Sequence, residues 1–132
     1  MAYATRDDLV SRFGEQECAD REAMLGADAA DRAIADAAAE MDVYLDNRYT
    51  TPLDPVPLAV VKRCCDMARY HLLGDSASAD ARQRYADALA WLNAVATAAV
   101  NLDGISAKIG GTPEARVEML PGRRVFTQGL LG

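Results

Sequence analysis

From Asp28 to Gly74 the chain reads DAADRAIADAAAEMDVYLDNRYTTPLDPVPLAVVKRCCDMARYHLLG, and this stretch decides the fold. Ala30, Ala33, Ile34, Ala37, Met41, Tyr44, Leu45 and Arg48 recur at helical spacing, which predicts a helix from Ala29 to about Asn47 capped by Asp28. The segment Asn47 to Pro57 holds three of the five prolines within six residues. Thr51, Asp54 and Val56 each precede a proline and are pushed toward extended backbone, so the corner is stiff. Pro57 suits the start of a second helix, about Leu58 to Leu73, because its missing N–H costs nothing there. Val60, Val61, Cys64, Cys65, Met67, Ala68, Tyr70, His71 and Leu72 cover more than half of that helix, which predicts a central position.

Working outward, Thr5 with Asp7 and Asp8 signals a helix start. Leu9, Val10 and Phe13 give it one short apolar face, and Gly14 ends it. The acidic run after Gly14, EQECADR, reads as a turn or one further helical turn. Downstream, Ser78 is a candidate cap for a last helix of about Ala79 to Ala99, with Tyr85, Leu89, Leu92, Val95 and Ala96 on its stripe and Trp91 off centre. The expected fold class is therefore all-α: three main helices plus a short N-terminal helix. Residues 1–100 form the helical domain.

Past Asn101 the character changes, and six of the nine glycines fall in the last 29 residues. RVEMLPGRRVF, Arg116 to Phe126, places alternating runs on either side of a Pro-Gly pair suited to a type II turn. Two readings compete for residues 101–132: a small hairpin folded on the domain, or an extended arm that orders on assembly. Val125, Phe126, Leu130 and Leu131 are too apolar for a purely solvated tail, which favours the arm.

The net charge of −6 disfavours a general nucleic-acid binder, whose phosphate contacts need a basic face. Residues 1–100 carry 10 basic and 17 acidic side chains, and residues 101–132 carry 4 and 3, so an acidic body is followed by a mildly basic arm. Asp31, Asp36, Glu40, Asp42 and Asp46 give the first long helix an acidic face, expected to be solvated. Cys18, Cys64 and Cys65 lack C-x-x-C spacing and are expected to be reduced, packed thiols. No signal peptide or membrane span is expected.

His71 and Cys64 are seven residues apart on one helical side, a spacing that a nucleophile–base pair or half a metal site could use. Nothing supplies the remaining groups, so packing is the expectation: no catalytic residue, no metal, no cofactor. Asp66 and Arg69 read as a surface pair at i, i+3. Arg48, Tyr49, Trp91, Arg123, Arg124, Val125 and Phe126 are the candidate subunit or partner contacts.

The pieces YATRDDLVSRFG (Tyr3 to Gly14), AAAEMDVYLDNRYTTPL (Ala37 to Leu53), VPLAVVKRCCDMARYHL (Val56 to Leu72), RQRYADALAWL (Arg82 to Leu92) and RVFT (Arg124 to Thr127) occur in this order. In that order and spacing the chain resembles the Mu-like prophage gp36 family of phage head-tail connector (adaptor) proteins. The resemblance implies a structural virion protein, assembled in the bacterial host cytoplasm. It further implies a ring of about a dozen copies between the portal protein and tail-completion proteins. DNA would pass through without specific binding, and no membrane or enzymatic activity is implied. The connection from Gly26 into the second helix is shorter than in such proteins, which leaves the contacts of that loop open. The rival expectation is a small monomeric cytoplasmic binding module with its groove between the two long helices.

Overall fold

The computed structural model describes residues 2–108, and they form five α-helices. These are α1 (Arg6–Phe13), α2 (Glu15–Leu25), α3 (Ala29–Leu45), α4 (Leu58–Leu73) and α5 (Ala79–Ala96), with a single 3₁₀ turn at Gly74–Ser76 before α5. There is no strand among the described residues, so the all-α class holds. Residues 109–132, with the expected hairpin or arm, lie outside the described part.

α4 is the centre: α3 and α5 pack along it, and α1 closes one side. α3 and α4 both bury many small groups. Ala30, Ala33, Ala37 and Ala38 of α3 and Cys64, Cys65 and Ala68 of α4 are all buried, and Ile34, Met41 and Met67 fill the space around them. Alanine at this density lets two helices approach closely, and it also leaves no slack for larger side chains.

The caps account for most helix boundaries. Thr5 and Asp8 form a complete capping box on α1, and Gly14, at φ +96°, ends it. The Ser78 hydroxyl accepts from the Ala81 N–H and starts α5. Asp28 does not cap α3 with its side chain; its carboxylate turns to Arg32 at 3.1 Å. α5 stops at Ala96, short of the expected Ala99, and Ala98 takes φ +67°.

The largest departure from expectation is α2, an eleven-residue helix where a turn was read. Only Cys18 of α2 is buried, so the helix has almost no apolar stripe. Ionic contacts hold it instead. Arg6 reaches Glu22 and Glu15, each at 2.8 Å, and the guanidinium of Arg69 grips Glu17 at 2.9 Å. Arg21 Nε donates to the Leu72 carbonyl at 2.8 Å. The Asp66–Arg69 surface pair does not form: Arg69 is engaged by Glu17, and Asp66 is buried beside Lys62 and Arg84.

Two outcomes follow from this packing. Ala37→Leu forces three extra heavy atoms into a fully buried position of α3 and should destabilise the fold by about 1–3 kcal/mol in urea denaturation; a neutral result would show slack at that position. The hydrogen bonds from Arg6 hold the Glu22 carboxyl below its ordinary range. A carboxylate depressed in the folded state contributes stability above its unfolded value of about 4.3, lost as pH falls through the lower folded value. Glu22→Gln should therefore lower the melting temperature at neutral pH and flatten its decline in acid, as read by thermal melts between neutrality and pH 3.

Candidate interaction surface

The proline corner is built inward. Tyr49 and Leu53 are each 1% exposed, and Tyr3 is 2% exposed. The Tyr3 hydroxyl donates to Asp42 of α3 and accepts from the Leu53 N–H at 3.1 Å, so the N-terminal segment pins the corner onto α3. Burial, with the Asp42 carboxylate beside it, pushes the Tyr3 phenol well above its usual range. The Tyr49 hydroxyl accepts from the Leu102 N–H at 3.0 Å, tying the segment after α5 to the same corner.

Arg48 completes the clasp. Its Nη1 donates to the Val95 and Val100 carbonyls at 2.9 and 3.0 Å, and its Nη2 donates to Asn101 Oδ1 at 2.6 Å. Arg48 thus caps the end of α5. Its own carbonyl accepts from the Lys108 N–H at 2.6 Å, and Lys108 Nζ donates to the Asp46 carbonyl at 2.8 Å. Of the candidate contact residues, Arg48 and Tyr49 are thus brought together and spend their polar groups within the chain. Trp91 stands half-buried at a rim with the Arg63 guanidinium 5.7 Å from its ring centre. Arg123, Arg124, Val125 and Phe126 lie outside the described residues.

Two surface features remain. An apolar groove of about 420 Å³ runs between Pro57, Leu58 and Ala59 at the start of α4, Trp91 on α5, and Val100 to Asp103. Leu58 at its edge is 75% exposed, the most exposed large apolar side chain among the described residues. A second, polar cleft is lined by Arg12, Lys62, Arg69 and Arg84 around the buried Asp66 carboxylate, with Phe13 and Asp80 at its sides. Lys62 Nζ lies 3.4 Å from Asp66 and Arg84 Nη1 lies 3.8 Å away. Neither feature was read from the sequence, because each joins segments distant in the chain. The space between α3 and α4, where a groove was the rival expectation, is filled by core side chains.

The chemistry-bearing groups are internal. Cys64 is fully buried with its Sγ 3.9 Å from the Ile34 carbonyl, and burial pushes its thiol up to about 12. Cys65 is likewise raised to about 11 by burial, so neither is a ready thiolate. His71 Nε2 meets Glu40 Oε1 at 2.6 Å, and the other Glu40 oxygen accepts from Tyr85 at 3.1 Å. Tyr85 stacks on Tyr70 with ring centres 4.2 Å apart. Burial and the adjacent Glu40 push the Tyr85 phenol to about 12. Among the described residues no group of three or more His, Cys, Asp or Glu side chains could hold a metal ion. The acidic face of α3 is also divided: Asp31 and Asp36 are exposed, Asp46 is exposed but accepts from Lys108 and Thr51, and Glu40 and Asp42 hold internal hydrogen bonds. No helix of the described residues is long and apolar enough to cross a membrane.

The described residues thus define a small all-α body, locked at a proline corner, with an apolar groove and a polar cleft among its surface features. Residues 3–119 match the family model described as Bacteriophage Mu, Gp36. The Mu-like prophage FluMu protein gp36 of Haemophilus influenzae is 37% identical over 107 residues, spanning 77% of this chain and 76% of that protein. Gene product J of Escherichia phage Mu is 29% identical over 120 residues, spanning 86% and 84%. The chain belongs to the phage Mu Gp36 family and is a phage protein.

The clasp can be tested directly. Tyr49→Phe leaves the buried Leu102 N–H without its acceptor and should cost about 1–3 kcal/mol. Arg48→Ala strips three hydrogen bonds from the end of α5 and should cost a similar amount, about 1–3 kcal/mol. Equilibrium unfolding in urea measures both, and values indistinguishable from the parent would mean that the corner is held by packing alone.

Proposed function

We propose that this phage protein is a head-tail connector, a structural adaptor that repeats as a ring between the portal protein and the tail-completion proteins. Its work is done through subunit contacts rather than catalysis, in the virion, after assembly in the bacterial host cytoplasm. The observation that carries this reading is membership of a phage protein family over residues 3–119. A corner fixed by two tyrosines and an arginine supports it, because a repeating assembly needs every copy to hold the same interhelical angle. The exposed carboxylates of Asp31 and Asp36 suit a wall that DNA slides past without gripping.

The experiment is co-purification of the full chain with portal and tail components of its own phage, followed by imaging of the particles. Association in ring-shaped particles is the expected outcome. Absence from purified virions, together with failure to bind any portal or tail component, would overturn the proposal. Truncation after Gly111 should leave the cooperative thermal melt in place while weakening association about tenfold or more, equivalent to roughly 1.4 kcal/mol. Loss of the melt would instead place the C-terminal segment within the core.

A further inference from the structure

The apolar groove beside the corner is open along the described chain, and the sequence holds a segment fitted to cover it. Leu58 is 75% exposed on one wall, and the half-buried Trp91 ring lies in the groove. An apolar surface of this kind on a chain of net charge −6 is a site for a partner or for another segment of the chain itself. Twenty-four residues follow Lys108. Among them Val117, Met119, Leu120, Val125 and Phe126 supply apolar side chains, with Arg123 and Arg124 beside them. The exposed Asp103 carboxylate at the groove's far wall is a complement for those arginines.

The departure point favours the chain's own segment. Lys108 is bonded to Asp46 and Arg48, and the Arg48 guanidinium itself sits on the Val100 carbonyl of the groove wall. Only five residues lie between Leu102, in the groove, and Lys108, and Val117 is nine positions further on. At about 3.5 Å per residue, those nine reach roughly 30 Å, ample to return. A segment tethered so close has an effective concentration of the order of millimolar at the groove, above that of any second copy in dilute solution.

We propose that the groove formed by Leu58, Trp91 and Val100 to Asp103 is the docking seat of the same chain's Val117 to Phe126 segment. The inference does not rest on the connector reading, and its test uses the free full-length chain without portal. Trp91 is the single tryptophan, so its emission and its quenching by acrylamide report the groove alone. In the parent, emission is blue-shifted and quenching weak, and neither changes on wide dilution. The double variant Val125→Asp, Phe126→Asp shifts emission to the red and raises quenching, with helical content by circular dichroism unchanged. Leu58→Asp, at an exposed position that the core does not need, speeds tryptic cleavage after Arg123 and Arg124. Unchanged Trp91 emission in the double variant overturns the proposal, as does unchanged cleavage in Leu58→Asp. Shielding that disappears on dilution also overturns it, because the occupant is then another copy's segment.

Discussion

The close approach of α3 and α4 is the contact on which the remaining structure depends. Both helices bury mostly small groups, Ala30, Ala33, Ala37 and Ala38 on one and Cys64, Cys65 and Ala68 on the other, and the Cys64 Sγ lies 3.9 Å from the Ile34 carbonyl, so the two backbones come close there. Helices that near each other bury less area per residue than leucine-rich pairs, and a small core of this kind gains from rigid boundaries. The proline corner supplies one boundary, and two tyrosines fasten it: Tyr3, before α1, and the corner's own Tyr49, which reaches Leu102 after α5. The corner is thus less a linker than the point where the N-terminal segment, the two central helices and the segment after α5 converge.

How much of this could be read from the sequence depended on what holds each element. α3 and α4 were legible because burial follows the apolar period: Ala30, Ala33, Ile34, Ala37, Met41 and Leu45 are all buried as their spacing required. The caps of α1 and α5 were legible because capping is local chemistry. α2 was not, since a helix held by Arg6–Glu22 and Arg69–Glu17 leaves no periodic mark in its own residues. The same reason hid the role of Asp66, whose burial is imposed by Lys62 one turn earlier and Arg84 on another helix. The groove escaped because Leu58, Trp91 and Leu102 come from three separate segments. Arg48 and Tyr49 were singled out as candidate contacts, and the partners they hold within the chain, Val95 and Leu102, lie some fifty residues away.

Membership of the phage Mu Gp36 family and the internal use of the reactive groups bear on function together. The lone histidine is joined to Glu40, the thiols are buried with raised pKa values, and the corner's arginine is occupied by backbone carbonyls. Polar chemistry in this body has been turned to holding its shape. Among the surface features of the described residues are an apolar groove and a polar cleft in which four basic side chains surround Asp66 and Asp80.

One pattern recurs at three helix ends. The terminal carbonyls of α2, α4 and α5 accept from Arg32, Arg21 and Arg48, and two of those arginines come from a different helix. Helix termini normally fray one by one, because their last carbonyls answer only to water. Here the last turn of α5 cannot loosen without releasing the corner after α3, nor that of α4 without disturbing α2. Amide exchange at these termini should therefore be slow and mutually dependent, so that the body opens as one cooperative unit or not at all.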